Sequence, residues 1–501
     1  MEILDTTLRD GEQTSGVSFA SAEKLHITRL LLEELKVDRV ELASAKVSEG
    51  EFETVRKVMQ WAESKSLADR IEILGFVDGE ASLNWLSRAG CCVMNLLCKG
   101  SQKHCTEQLR KSREEHLADV ISVVNKAKDR NIAVNVYLED WSNGMLQSPD
   151  YVFFMIDNLK QSHIRRFMLP DTLGILNPEN TAKFCREMRK CYPDLHFDFH
   201  AHNDYDLAVG NSFAAASAGF NGIHTTVNGL GERAGNAPLT SVIAMLHDQM
   251  KVKTCVVEKK LNRVSRVVES YSGIRIPNNK PVIGDNVFTQ CAGVHADGDM
   301  KNRLYYNDLL PERFGREREY ALGKMSGKSN IKKNLESLGI TLDSEAMKKV
   351  TARIIELGDR KEIVTQDDLP YIIADVMRTG TSDKVKMVNF SLSLARGLRP
   401  VATVMIRIDG QDYEETMPGE GQYNAFSKAL WKIYTRLGKP KPMLTDYNVT
   451  IPAGGRTDAL VQTTISWNFN GKEFKTRGLD VDQTLAAIKA TMRMLNMIEN
   501  M

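Results

Sequence analysis

Two histidines one residue apart, His200 and His202, are the clearest candidate ligands in the chain. In an extended segment, residues i and i+2 share a face, so both imidazoles come to one point, a spacing suited to a divalent metal. A hydrogen-bonded core pair explains the same spacing. What favours the metal is a third group: Asp10, in Leu8-Arg9-Asp10-Gly11-Glu12, with the amide oxygen of Asn236 as a neutral donor. Two imidazoles, a carboxylate and an amide oxygen form a mixed set suited to Mn2+, Zn2+ or Mg2+, with positions left for substrate. No thiolate belongs to it, unlike a closed structural zinc site. Arg9 beside such a metal offers a fixed cation to a developing enolate or alkoxide; a surface ion pair with Glu12 is the plainer use.

These residues need elements to position them. Short β-rich runs cover Ile3–Leu8, Asp38–Leu42, Ile71–Gly75, Val93–Leu97, Ile132–Leu138, Arg165–Leu169, His196–His200 and Gly222–Thr226. Amphipathic stretches lie between them at Ala22–Leu35, Glu51–Glu63, Ala118–Arg130, Pro178–Lys190, Tyr205–Gly219 and Pro238–Gln249. The alternation implies a parallel sheet. About eight units in about 250 residues match a closed (β/α)8 TIM barrel, an α/β fold, with an open doubly wound sheet as the alternative. Barrel enzymes carry their chemistry at the C-terminal strand ends. Here those ends carry Arg9-Asp10, Glu41, Glu139-Asp140, Asp171-Thr172 and His200-Ala201-His202. His196, Asp198, His200 and His202 share one strand face, and polar side chains inside a barrel are costly unless they have a use.

Nucleotide motifs do not compete. Asn228-Gly229-Leu230-Gly231-Glu232-Arg233-Ala234-Gly235 has one residue too many for a dinucleotide fingerprint and follows the last strand. Gly323-Lys324-Met325-Ser326-Gly327-Lys328-Ser329 is one residue short of a phosphate loop.

The 501 residues carry 66 Lys+Arg against 65 Asp+Glu, so no global basic field exists for nucleic acid. No apolar run approaches the roughly 18 residues of a membrane span, and Met1-Glu2-Ile3-Leu4 opens no secretory signal. The 8 Cys include no CxxC pair and read as reduced thiols of a cytoplasmic protein. Composition divides the chain into a barrel at 1–251, helical linker subdomains at 252–381 and an α+β domain at 382–501. The last part is an internal repeat of about 60 residues, βββα twice. It contains neither His nor Cys, which points to ligand sensing or assembly.

Leu4-Asp5-Thr6-Thr7-Leu8-Arg9-Asp10-Gly11-Glu12-Gln13, His200-Ala201-His202-Asn203-Asp204 and Asn228–Asn236 resemble the signatures of the 2-isopropylmalate, homocitrate and citramalate synthases. The resemblance covers nearly the whole chain. It implies a metal-dependent TIM-barrel acyltransferase that condenses acetyl-CoA with a 2-oxo acid, generally as a homodimer. By position, it implies Asp10, His200, His202 and Asn236 as metal shell, Arg9 on the keto oxygen, and Thr172 on the oxo-acid carboxylate. Glu139 and His295 would serve the proton transfers, with Tyr305 nearby and His295 commonly supplied by the partner subunit.

Leu74, Leu97 and Tyr137 stand at pocket positions that isopropylmalate synthases fill with smaller or more polar residues. Such a pocket excludes an isopropyl group and accepts a methyl, which points to pyruvate; 2-oxoisovalerate is the alternative, and ordinary barrel core is the plainer use of the three residues. The repeat resembles the family's amino-acid-sensing domain. Tyr423, Leu444, Tyr447 and the loop with Ile451, Gly454, Gly455 and Thr457 match its effector region, so feedback by isoleucine is expected, or by leucine for the other substrate. Two departures stand out: Ala201 between the histidines where Cys is common, and Met325 in Gly323-Lys324-Met325-Ser326-Gly327 where His is usual. The chain also starts directly on the first strand, without an N-terminal extension. A lyase of the same barrel superfamily is disfavoured by the sensing repeat, and a non-catalytic sensor by the retained Arg9, Asp10, His200, His202 and Glu139.

Overall fold

The computed structural model describes residues 1–301, 303–359, 364–377, 384–450 and 461–499. They form two compact units, Met1–Leu369 and Pro370–Met501. In the first, eight parallel strands close on themselves: β1 Glu2–Asp5, β2 Arg39–Ser44, β3 Ile71–Phe76, β4 Val93–Lys99, β5 Ala133–Glu139, β6 Ile164–Asp171, β7 Phe197–Ala201 and β8 Gly222–Thr225. β1 pairs with both β2 and β8, so the sheet is a barrel and the open alternative is excluded.

β1 ends three residues before the expected Leu8. The Asp5 carboxylate accepts the Thr7 backbone N–H at 3.0 Å, a local turn that competes with the sheet ladder. The chain then folds back through Arg9, Asp10 and Gly11, whose N–H groups all point to the Thr6 carbonyl. This places Arg9 and Asp10 over the barrel mouth in a turn rather than on a strand end.

The helices start where the sequence supplies caps. Ser48 caps Glu49–Ser64, Ser112 and Glu115 form a capping box on Arg113–Asp129, and Asn177 precedes Pro178 at the start of Pro178–Cys191. Three further helices, Ala81–Ala89, Trp141–Gln147 and Pro149–Leu159, lie outside the expected set. The expected helix at 22–35 is α-helical only to Arg29, and its last turns are π-helical over Leu30–Leu35.

The 252–381 region is only partly a linker. Leu261, Val264, Val268, Ile276, Ile283, Phe288 and Phe314 join the barrel's own apolar core. It also contains a short parallel strand pair, Thr289–Gln290 with Glu319–Tyr320.

The second unit holds two three-stranded antiparallel sheets, each followed by a helix. Val385–Ser393, Val401–Ile408 and Gln411–Pro418 precede the helix Gln422–Arg436; Met443–Thr450, Val461–Phe469 and Lys472–Asp480 precede Gln483–Glu499. The repeat read from sequence is this βββα pair. Its second hairpins turn on Asp409-Gly410 and Asn470-Gly471, all four residues at positive φ, the geometry that matches strand twist. Val404, Ile406, Phe426, Ile433, Ile465, Trp467 and Met494 belong to one apolar core of this unit.

Candidate active site

The mouth of the barrel gathers groups far apart in sequence. Strand order β7-β8-β1 brings the Asp10 turn across to the end of β7. His200 Nε2 lies 3.1 Å from Asp10 Oδ2, His202 Nε2 lies 3.8 Å from the same oxygen, and the two Nε2 atoms are 3.3 Å apart. All three side chains are buried, and one ligand atom from each lies within 4.8 Å of the others. Asn236 is bridged to His202 through the backbone, and its amide N–H is taken by the Leu230 carbonyl at 3.0 Å. Asp10 Oδ1 and Asn236 Oδ1 are buried and find no hydrogen-bond partner among the described residues. Converging acceptors with orphaned oxygens fit a divalent cation with nitrogen and oxygen ligands. Burial raises the Asp10 carboxyl, but Arg9 and then His200 outweigh it and hold it well below the usual carboxylate range. Burial, aided by His200, pushes the His202 imidazole down to about 3, which keeps it neutral as a metal ligand must be.

Arg9 is fixed on three sides. Its Nε donates to Glu41 Oε2 at 2.7 Å, its Nη1 lies 3.2 Å from Asp10 Oδ2, and its Nη2 donates to the Tyr137 hydroxyl at 3.4 Å. Glu41 is fully buried and also accepts from Thr6 Oγ1 at 2.7 Å and Asn95 Nδ2 at 2.8 Å. Burial works against the Glu41 charge, but Arg9 and the hydrogen bonds lower its carboxyl overall. The guanidinium is therefore aimed rather than mobile, as a preorganised donor must be. The plainer use of Arg9, an ion pair with Glu12, does not occur: Glu12 pairs instead with the buried Lys24.

Leu74, Leu97 and Tyr137 meet in one apolar cluster with Leu4, Phe76 and Met168. The cluster touches the polar site through the Tyr137 hydroxyl. Glu139, at the end of β5, is ion-paired with Lys99 at the end of β4, and the two are register partners. Thr172 accepts the Asp140 N–H at 2.9 Å, and its carbonyl accepts from Arg233, which also holds Asp204. The His295 and Tyr305 rings pack together at a tilt of 37°, with centroids 4.3 Å apart. Among the described residues, neither makes a hydrogen bond or ring contact with Arg9, Asp10, His200 or His202.

In the second unit the Tyr423 and Tyr447 rings lie 5.4 Å apart, and the Tyr423 hydroxyl is bonded to Thr491 Oγ1 at 2.8 Å. Leu444 is exposed on the same strand as Tyr447. Ile451, Gly454, Gly455 and Thr457 lie outside the described residues.

Sequence reasoning missed the supporting groups: Asn95, Lys99 and His224 were not among its candidates. For Lys99 a signal existed, since it closes β4 as Glu139 closes β5.

Comparison with known proteins gives the family. Residues 1–268 match the HMGL-like family model, 282–362 the homocitrate synthase post-HMGL domain-like model, and 363–499 the LeuA allosteric (dimerisation) domain. The chain belongs to the HMGL-like family. It is 32% identical over 504 residues to the (R)-citramalate synthase of Methanocaldococcus jannaschii, covering 100% of both chains. It is also 31% identical over 503 residues to the 2-isopropylmalate synthase of the same organism, covering 99% of this chain and 94% of that one. A 2-isopropylmalate synthase of Oceanobacillus iheyensis is 32% identical over 509 residues, with 99% and 96% covered. The protein is thus an acyltransferase of the citramalate/2-isopropylmalate synthase type. Identity alone does not separate the two activities, so the pocket has to.

Proposed function

We propose that this HMGL-like enzyme condenses acetyl-CoA with pyruvate and water to give citramalate and CoA, on the way to isoleucine. Condensation of acetyl-CoA with a 2-oxo acid follows from its family; the choice of pyruvate rests on one observation. Leu74, Leu97 and Tyr137 converge with Phe76 and Met168 beside Arg9, and bulky side chains at these positions favour a methyl over an isopropyl group on the substrate. In a packed pocket each methylene is worth roughly 1–3 kcal/mol.

Asp10, His200, His202 and Asn236 would hold Mn2+, Zn2+ or Mg2+, which when bound supplies Lewis-acid polarisation of the oxo acid. Thr172 receives the substrate carboxylate. Arg9, held by Glu41 and Asp10, presents its guanidinium to the keto oxygen and meets the negative charge that grows there. The thioester methyl group is a very weak acid, so the base must be held in place. Glu139, anchored by Lys99, and His295 with Tyr305 serve the proton transfers; His295 comes from the partner subunit of a homodimer. The enolate carbon adds to the keto carbon, and hydrolysis of the thioester releases CoA.

Residues 382–501 form the regulatory part, with isoleucine bound near Tyr423, Leu444, Tyr447, Ile451, Gly454, Gly455 and Thr457. Residues 252–381, partly packed into the barrel core, connect it in sequence to the catalytic part, 1–251. The reduced cysteines suit a cytoplasmic enzyme, and no helix among the described residues is long and apolar enough to cross a membrane.

The test is CoA release from acetyl-CoA with Mn2+, comparing pyruvate with 2-oxoisovalerate, each with and without isoleucine or leucine. Preference for pyruvate and inhibition by isoleucine are expected. Preference for 2-oxoisovalerate would reassign the enzyme to leucine synthesis and reject the pocket argument.

A further inference from the structure

Below the catalytic groups, a hydrogen-bonded column runs down the barrel axis. The Tyr137 hydroxyl lies 3.0 Å from His224 Nδ1, and His224 Nε2 lies 3.2 Å from Asp198 Oδ2. Asp198 Oδ2 also accepts from Arg39 Nη2 at 2.6 Å, while its Oδ1 faces His196 Nε2 at 2.9 Å. Tyr137, His224 and Asp198 are all buried. Gly222 makes room for the carboxylate: a Cβ there would stand 2.1 Å from Asp198 Oδ1.

The proton positions in this column follow from its chemistry. Burial alone would raise the Asp198 carboxyl, but Arg39 and the hydrogen bonds of both histidines hold it well below the usual carboxylate range, so it only accepts. His224 Nε2 faces this obligate acceptor at 3.2 Å. A neutral imidazole facing a carboxylate with Nε2 carries its proton there. Its Nδ1 then only accepts, and the Tyr137 O–H must donate to it. The hydroxyl's lone pairs are left for Arg9 Nη2.

We propose that His224 is a specificity-determining positioning residue: by accepting the Tyr137 hydroxyl proton it locks the Tyr137 ring across the oxo-acid pocket and sets the side-chain size admitted. The ring has no second anchor of equal quality. It packs edge-on against His224 and His200, with centroids 5.6 and 6.1 Å away, lies under the Arg9 guanidinium at 5.7 Å, and otherwise meets the apolar cluster. The next acceptor is Glu41 Oε2 at 3.5 Å, which already holds Thr6 and Arg9. Without His224 the buried O–H donor is either unsatisfied or drawn towards Glu41, and the ring leaves its place in the pocket wall.

The proposal rests on the oxo-acid pocket assigned above, and its test separates the two readings. The ratio of kcat/KM for pyruvate to that for 2-oxoisovalerate is measured in the full-length enzyme with Mn2+, and in the His224→Phe, His224→Gln, Tyr137→Phe and His224→Phe/Tyr137→Phe variants. The wild-type ratio tests only the pyruvate reading. For His224, the ratio should fall at least tenfold in His224→Phe and in Tyr137→Phe. It should fall less in His224→Gln, which keeps a donor and an acceptor, and no further in the double variant than in Tyr137→Phe. If His224→Phe does not fold, Tyr137→Phe and His224→Gln still decide. An unchanged ratio in Tyr137→Phe, or independent, multiplying effects of the two substitutions, would overturn the proposal.

Discussion

Glu41→Gln isolates the charge that aims Arg9. Glu41 Oε2 receives Arg9 Nε and Thr6 Oγ1, and Oε1 receives Asn95 Nδ2. A glutamine can keep its oxygen towards Arg9 and Thr6 and turn its amide N–H towards Asn95. Asn95 then has to flip, which asks Asn135 to flip in turn. Asn135 now donates to Asn95 Oδ1 at 2.8 Å and has a buried Oδ1 without a partner, so the rotation is open to it. The hydrogen-bond pattern is thus recoverable, and the negative charge is not. Removing one partner of a buried ion pair costs about 3–5 kcal/mol. Arg9 keeps Asp10 at 3.2 Å, so the lower end of that range applies to stability. For the reaction, losing the aim of one preorganised donor is worth roughly 10²–10³ in kcat. The assay is thiol detection of CoA release under saturating acetyl-CoA and Mn2+, with a urea unfolding curve on the same preparation. A fall in kcat of about 100-fold or more in a folded variant is expected. A Glu41→Gln enzyme within about threefold of wild type would show that Arg9 needs no buried anion to orient it, and the argument from preorganisation would fail.

Three further outcomes follow from the same geometry. Mn2+ at about 100 times its Kd should stabilise the wild-type protein by about 2.7 kcal/mol in thermal unfolding, reversibly with EDTA, and Asp10→Asn should lose this shift; an equal shift in the variant would place the metal elsewhere. Lys99→Met should lower kcat by about 10- to 100-fold while the KM for the oxo acid stays within about threefold, because it releases Glu139 without touching the oxo-acid site; a change confined to KM would contradict this. His116 and His224 are both pushed down from 6.5 to about 4, in each case mainly by burial. Below pH 6.5 the unfolded chain therefore binds protons that the folded one does not, and stability falls as pH drops through the window from about 6.5 to about 4. At pH 5 the loss is 1.5 units at about 1.36 kcal/mol each, or about 2 kcal/mol per histidine. The change in urea midpoint between pH 7 and pH 5 should be smaller in His116→Gln than in the wild type; the same change in both would rule it out.

The barrel and the convergence of Asp10, His200 and His202 were legible because their signals are local. A strand puts His200 and His202 on one face whatever surrounds them, and Asp10 follows a run that can only be the first strand. The start of the Asp10 turn was misplaced because Asp5 captures the Thr7 N–H, a side-chain contact that β propensity does not register. The two helices after β5 are short, 7 and 11 residues, and Gly144 weakens the helical signal of the first. Asn95, Asn135, His224, Asp198 and Arg39 could not be assembled from sequence at all. They come from five strands, and only the register of the closed sheet decides which of them meet along the axis. Lys99 and Glu139 needed just one neighbouring register, and could have been paired by noticing that each is the last residue of its strand.

The axial column also explains why the top of the barrel suits a cation. Barrel interiors are ordinarily filled by layers of branched apolar side chains. Here Arg39 balances Glu72 and Asp198 at the lower level, with Glu2 shared between Arg39 and the partly buried Arg166. At the upper level Arg9 alone faces two buried carboxylates, Glu41 and Asp10. Glu41 spends its charge on Arg9, Thr6 and Asn95. Asp10 Oδ2 faces Arg9 and both imidazole Nε2 atoms, and its buried Oδ1 has no partner among the described residues. Electrostatically this level is one positive charge short, and the shortfall lies between the ligand atoms themselves. Asp10→Asn should therefore act on cation affinity first, with the apolar cluster and Arg9–Glu41 pair intact, whereas Glu41→Gln should act on Arg9 with cation binding retained. Two substitutions that each remove one carboxylate charge from the same level should thus fail in different assays.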